Sequence, residues 1–444
     1  MYDAIVIGGR VAGAPTAMLL ARLGHRVLLV ERTRFPRDTL STHFIWPRGV
    51  SYLNRWGLAQ RVLAETPGMR SMEVNIEGIS LKGSVRLQDL RERFTHLHGD
   101  DHGVTDTYCG PRRFFLDNLL LREAQAAGAE VREGFSVVGP MIEDGVVVGI
   151  HGRTEDGIER SERARLVIAA DGRFSRFAEQ VGSKVVDFRE KSTFAYFSYF
   201  RGIPMEELAI HKRGRMGTAI FPTMEGKHMV LVYGPTHWWR EFRRRAEANF
   251  HWIYDFCAPE IGELIRTRGT RVEGFYGAGI MSAFKREATG PGWVLIGDAG
   301  SFKDQVTAMG ITHAFRDAQL LTDHLHRAFT GEMSVPEALN HFVARRSVDY
   351  DEYFDLVCGT AEMNIYTEEQ LELYEALRGN QDQIDRMISC FGDTLPAHQF
   401  ASADNVQAIV SAHRRLPKVN QDYDSLIADY DRNPFIDAAQ TAAA

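Results

Sequence analysis

The stretch IVIGGRVAG, Ile5 to Gly13, is an apolar run that stops at a glycine-rich turn. Its apolar residues do not alternate with polar ones, which predicts a strand buried on both faces from Ala4 to Ile7. Ala14 to Leu23 then reads as a helix of good formers, with Pro15 tolerated in its first turn. Gly24 ends that helix, and HRVLLVER predicts a second buried strand. Strand, turn, helix and strand make a β-α-β unit with a right-handed crossover and parallel strands. A dinucleotide-binding fold begins this way. Gly8 permits the tight bend and Gly13 lets the helix pack close to the strand. The amides of the turn, Gly9 among them, and of the helix N-terminus would face a pyrophosphate.

Arg10 stands where the G-x-G-x-x-G pattern has its middle glycine. Its Cβ demands an ordinary negative φ, so the side chain either points aside or brings its guanidinium to the phosphates. Glu31, followed by Arg32, ends the second strand about 20 residues beyond the turn, where an acidic residue takes ribose hydroxyls.

Two later stretches repeat the theme of an apolar strand delivering a polar turn. RARLVIAADG ends on Asp171-Gly172, and Ser175 and Arg176 open a helix. GWVLIGDAG delivers Gly297-Asp298 at a strand's C-terminal end, where the carboxylate suits a polyol hydroxyl. A loop follows, and Gly310, Ile311 and Thr312 begin a helix whose amides favour negative charge.

The chain has 444 residues, too long for one ordinary core. Hydrophobic residues make up 44% and charged residues 25%, a soluble globular balance. A net charge of -7 argues against nucleic acid as a partner. Arg243, Arg244 and Arg245 read as a solvated helix face. Cys109, Cys257, Cys358 and Cys390 lack C-x-x-C spacing and read as reduced thiols, with no metal site. No apolar run approaches the ~18 residues of a membrane span, and no signal peptide is visible, so a cytoplasmic location is expected. The Ala-rich end, QTAAA, is expected to fray.

Between the second and third polar turns the pattern changes. STFAYFSYFRG, MGTAIFP and KHMVLVYG are aromatic and β-branched strands, the last two joined by a turn from Thr223 to Gly226. They predict an inserted antiparallel sheet, with residues facing alternately into its core and toward a pocket. WWREFRRRAEANFHWIYDF predicts one helix in that lobe, with Trp238, Trp239 and Trp252 in its core. Pro111 to Gly128 is an amphipathic helix, Arg34 to Gly49 a long functional loop, and the chain from Val335 onward helical.

Taken together, the glycine turn, the Asp-Gly pair and the Gly-Asp turn with its glycine-led helix closely resemble the FAD-dependent monooxygenase superfamily. That superfamily includes aromatic hydroxylases, geranylgeranyl reductases and flavin-dependent halogenases, and GGRVAG resembles its subgroup with a G-x-R-x-A-G turn. The resemblance implies an α/β, glutathione-reductase-like FAD-binding domain with a Rossmann-type parallel sheet, an inserted antiparallel-sheet substrate domain and a C-terminal helical region. The expected division is 1–70, 101–180 and 291–334 for the FAD domain, 71–100 and 181–290 for the substrate domain, and 335–444 for the helical region.

By the same resemblance Gly8, Gly9, Arg10, Gly13, Glu31 and Arg32 border the ADP half of FAD. Arg112 or Arg113, in GPRRFFLDNLL, is the arginine that contacts FAD, and the spacing to Leu116 favours Arg113. Asp171 belongs to the middle motif, Asp298 holds the ribityl chain, and Gly310, Ile311 and Thr312 lie against the flavin's pyrimidine edge. Thr42 and His43 sit beside the flavin, with His43 as candidate acid or base, and His313 is read as packing.

The implied activity is insertion of one oxygen atom from dioxygen into a hydrophobic, aromatic or polyketide-like molecule through a C4a-hydroperoxide. NADPH or NADH, or a partner flavin reductase, would supply the electrons. Reduction of carbon–carbon double bonds, halogenation and non-catalytic isoprenoid binding are the alternatives. Three departures from the superfamily stand out. Gln305 and Ala308 replace a proline and a glycine before Gly310, the W-x-W-x-I-P halogenase signature is absent, and Thr42-His43 lacks the cysteine of the geranylgeranyl reductases.

Overall fold

The computed structural model describes residues 1–412 and 433–435. The QTAAA terminus lies outside the described residues. The first predicted strand is Tyr2–Ile7, the helix Gly13–Arg22 and the second strand Val27–Glu31. Ala4, Ile5, Val6, Leu28 and Leu29 are all fully buried. Each of the four larger aliphatics among them contributes about 1.5–3 kcal/mol by leaving water, which is why an unbroken apolar run settles into the centre of a sheet.

Tyr2–Ile7 pairs in parallel with Val27–Glu31 on one side and with Glu159–Ala169 on the other. Trp293–Leu295 and Glu130–Glu133 extend the parallel sheet outward. The three polar turns therefore leave neighbouring strands at the same C-terminal edge, where ligands of open α/β sheets bind. Phe135–Glu143 and Val146–Thr154 add an antiparallel hairpin to the long strand Glu159–Ala169.

A second sheet holds Thr193–Arg201, Lys227–Pro235, Met216–Pro222 and Leu208–Arg213 in antiparallel order. Met72–Ile76 joins it in parallel with Leu208–Arg213, and Ile79–Gly83 closes that edge. The strand Thr193–Arg201 alternates between two clusters, but both of its faces are buried in apolar packing, where one was expected to line a pocket. Ala195, Phe197 and Tyr199 belong to the main core shared with the parallel-sheet region, while Phe194 and Phe200 pack in a separate cluster with Trp238, Phe242 and Phe250. The turn after Met216–Pro222 is tight, with Glu225 and Gly226 at φ 60° and 67°.

The single helix expected over WWREFRRRAEANFHWIYDF is broken. Trp239–Phe242 is one short helix, Arg243–Arg245 a tight turn, and Ala246–Cys257 a second helix. Arg245 leaves the helical region at φ -138°, and the Asn249 side chain donates to the Phe242 carbonyl that the break exposes, at 2.9 Å. Neighbouring arginines repel one another, and the kink spreads them into solvent. Trp238 is buried, but Trp252 is 41% exposed and is not the core residue expected. The loop after Arg34 is shorter than predicted, because Pro47 already opens the helix Pro47–Arg55.

Two long helices follow the third polar turn and pack on each other. Gly310–Phe329 begins at the predicted glycine, and Val335–Ala361 starts on a capping box formed by Ser334 and Glu337. Glu368–Leu377 ends near Gly379, whose φ of 82° suits a helix stop. The four cysteines are buried and unpaired. No helix among the described residues is long and apolar enough to cross a membrane.

Candidate functional site

The glycine turn is as tight as its sequence implies. Gly8 has φ +101°, and a Cβ there would stand 2.4 Å from the Ala170 carbonyl oxygen. A Cβ at Gly13 would stand 1.9 Å from the Gly8 carbonyl oxygen. Arg10 keeps a negative φ, as its Cβ requires. Its guanidinium turns aside to Asp117 at 2.5 Å and lies over the Phe35 ring at 5.3 Å.

Glu31 does more than end a strand. One carboxylate oxygen accepts from the Gly9 amide at 2.8 Å, and the other from the Thr33 amide and hydroxyl at 2.9 and 2.8 Å. The buried carboxylate thereby pins the glycine turn from beneath. Arg32 beside it is exposed.

Arg112 and Arg113 point to opposite sides. Arg113 opens the helix Arg113–Ala126 and is paired with Asp117 one turn on, at 2.9 Å. It also lies close enough to Asp298 to lower that carboxyl's pKa. Arg112 reaches the second sheet, pairing with Asp38 and Glu273 at 2.6 Å each and lying 3.9 Å above the Tyr199 ring. The geometry thus separates the two residues that spacing only ranked.

Asp171 and Asp298 are both solvent-accessible at the sheet's edge. Protein crowds round each on the other sides, and that desolvation raises both carboxyls above their ordinary range. Lys303, Arg113 and Arg173 act in the opposite sense on Asp298. Among the described residues no group hydrogen-bonds or ion-pairs with the Asp298 carboxylate. Ser175 caps its helix by accepting from the Ala178 amide at 3.0 Å.

At the helix start, Gly310 is exposed and a Cβ built on it meets nothing within 4 Å. The first helical bond here runs from the His313 amide to the Met309 carbonyl at 3.0 Å. The amides of Gly310, Ile311 and Thr312 have no acceptor within the helix, which leaves a patch of partial positive charge beside open space. The Thr312 hydroxyl is buried with no hydrogen-bond partner. Ala308, at the superfamily's glycine position, has φ +53°, so the left-handed turn persists without its glycine. His313 is buried and bonded to Asp393 at 2.7 Å, in keeping with packing.

Sequence reasoning missed the residues that support these turns. Asp304 accepts from the Thr193 amide and hydroxyl at 2.7 Å each and from the Val306 amide at 2.8 Å, tying the loop to the second sheet. Burial pushes its carboxyl up to about 6. Asp317 accepts from the Gly297 amide at 3.1 Å. One signal was available: Arg316-Asp317 puts charges on the helix face that Ala314, Ala318 and Leu321 mark as buried.

His43 is 2% exposed at φ +43°, and its Nε2 lies 2.9 Å from the Tyr199 hydroxyl. Thr42 beside it is half-buried. Burial, with the Arg112 guanidinium nearby, pushes the His43 imidazole down to about 3, so the ring is neutral at physiological pH. The unfolded chain takes a proton near pH 6.5 that the folded site refuses. This contribution to stability is therefore full above pH 6.5 and is lost as pH falls toward 3. Native protein is expected to lose about 1 kcal/mol more than His43→Asn, which tolerates positive φ, between pH 6.5 and 5.5. Urea denaturation at the two pH values measures this, and equal losses would contradict a buried neutral ring.

Residues 1–348 match the FAD binding domain family model. A brominase of 1H-pyrrole-2-carbonyl-[peptidyl-carrier protein] from Pseudoalteromonas luteoviolacea is 22% identical over 346 residues, 74% of this chain and 78% of that protein. Digeranylgeranylglycerophospholipid reductase of Methanocella arvoryzae is 26% identical over 72% of this chain and 76% of its own. Aklavinone 12-hydroxylase DnrF of Streptomyces peucetius is 30% identical over 59% of this chain and 50% of its own. The solved structure of the flavin-dependent brominase Bmp2 superposes with a TM-score of 0.75 at 17% identity, covering 93% of this chain and 98% of that one. Relatives of one fold thus run oxygenation, halogenation and reduction, and this chain, matched over most of its length, belongs to the FAD-binding domain family of flavin-dependent oxidoreductases.

Proposed function

We propose that the chain is a monooxygenase that transfers one oxygen atom from dioxygen to a hydrophobic, aromatic or polyketide-like small molecule. The observation that carries this reading is the aromatic wall of the second sheet facing the parallel-sheet region. Phe197, Tyr199 and Phe221 share a core with Phe44 and Trp46 of the loop, and His43 packs among them with its Nε2 on the Tyr199 hydroxyl. Such a wall suits a flat apolar substrate. The similarity to a hydroxylase at 30% identity agrees with it.

The residues fit FAD. A carboxylate without a protein partner, free amides beside an open space and a turn that only glycine can make are what a polyol, a flavin edge and a pyrophosphate require. In this reading Gly8, Gly9 and Gly13 cradle the pyrophosphate, and Glu31 and Arg32 border the adenosine ribose. Asp171 and Arg113 line the crevice, Asp298 holds the ribityl hydroxyls, and Gly310, Ile311 and Thr312 face the flavin's pyrimidine edge. Bound FAD supplies the redox chemistry. The chain's own contribution is to orient the substrate and exclude water. Neutral His43, held by Tyr199 and with Thr42 beside it, acts by hydrogen bonding rather than as an imidazolium acid. The parts of the second sheet drawn from residues 71–100 and 181–290 form the substrate side. NADH or NADPH acts transiently as reductant, or a partner reductase takes that role.

A reductase of carbon–carbon double bonds is the second reading, favoured by the 26% identity to the phospholipid reductase. Isotope-labelled dioxygen separates the two. FAD-loaded protein, NAD(P)H or a flavin reductase, and a panel of aromatic compounds should yield product carrying one labelled oxygen atom. Product that gains two hydrogens under anaerobic conditions, and no label in air, would replace oxygenation with reduction.

A further inference from the structure

We infer that the helix Val335–Ala361, which belongs to neither sheet, is part of the cofactor site, with Arg346 and Tyr350 as positioning residues for the Gly297–Thr307 loop. The two lie four residues apart, on one helical face, and that face packs on the helix Gly310–Phe329. Both are buried. The inference concerns FAD binding and is independent of which reaction follows.

Arg346 acts through Asp317. Its guanidinium lies 3.4 Å from Asp317 Oδ2, the oxygen that accepts the Gly297 amide, while Arg316 holds Oδ1 at 2.7 Å. Burial alone would raise the Asp317 carboxyl, and Arg346 and Arg316 hold it below the ordinary carboxylate range. The carboxylate therefore stays charged and grips the amide next to Asp298. Gly297 sits at φ +55°, and a Cβ there would come 2.9 Å from Ala12 Cβ in the first turn. A small movement of this turn would shift Asp298 and disturb its contact with the glycine turn together.

Tyr350 acts on the other end of the loop. Its hydroxyl accepts from Lys303 Nζ at 2.7 Å and bonds the Ser301 hydroxyl. Lys303, Arg316 and Arg346 surround its ring at 4.1, 4.9 and 5.5 Å. One aromatic ring thus gathers three basic side chains, Arg316 and Arg346 buried and Lys303 half-buried. Lys303 is the only one of the three on the loop itself, and its ammonium also acts on the neighbouring Asp298.

The test compares flavin-free native protein with Arg346→Met, Arg346→Lys and Tyr350→Phe. FAD affinity is read by fluorescence quenching, the bound flavin by visible circular dichroism, and the apoprotein by thermal melting. Arg346→Met is expected to raise the FAD Kd about tenfold or more, with Arg346→Lys returning it to within about threefold of native. Tyr350→Phe, which removes one hydroxyl and keeps the ring, is expected to raise it about threefold or more and to alter the flavin dichroism. A purely structural role would lower apoprotein melting and leave the Kd and dichroism of the folded fraction native. Native values in both Arg346→Met and Tyr350→Phe overturn the inference. If Arg346→Met does not fold, native values in Tyr350→Phe alone overturn it.

Discussion

A Gly310→Val variant is expected to fold as well as the native chain and to lose most of its affinity for FAD. Gly310 opens a helix without positive φ, and a Cβ there meets nothing within 4 Å. Valine is a better helix former than glycine, so the apoprotein should melt within about 1 kcal/mol of native. The space that the side chain enters is the one proposed for the flavin's pyrimidine edge. Filling it should weaken FAD binding about a hundredfold, or about 2.7 kcal/mol. Fluorescence titration of the apoprotein with FAD measures it. An unchanged Kd would move the flavin away from this helix start.

Asp298→Ala is the second large effect. The carboxylate has no hydrogen bond or ion pair within the described protein, so its removal costs the fold little. A charged acceptor bonded to ligand hydroxyls is worth about 1.5–3 kcal/mol, which translates to a loss of about ten- to hundredfold in FAD affinity. The loss should appear as a faster release of flavin during gel filtration. A variant that stays as yellow as native would remove Asp298 from the ribityl chain. The two variants fail in different ways: valine blocks a space, whereas alanine removes a partner.

The contrast between Arg113 and Asp317 shows where sequence reading stops. Arg113 could be favoured because RFFL resembles the superfamily's R-x-x-L helix start, a pattern held within four residues of sequence. Asp317 could not be given a partner, because the Gly297 amide lies 20 residues away and meets it only after strand and helix have packed. Arg346 is more distant still. The broken helix at Arg245 was hidden for a related reason. Apolar spacing reports which face is buried, and it carries no record of where a side chain such as Asn249 will rescue an interrupted backbone.

By itself, the sequence determined the parallel β-α-β start, the three polar turns at strand ends, the glycine-led helix and the alternating faces of the strand Thr193–Arg201. These depend on steric limits at glycine and on hydrophobic period, which act over a few residues. Only the tertiary structure decided that Glu31 holds the glycine turn, that Arg10 turns to Asp117, that Arg112 and Arg113 part, and that His43 is a neutral ring under Tyr199. Each of those outcomes depends on which charges and ring systems meet in a low-dielectric interior. Contacts between distant segments set that environment, and local pattern does not encode it.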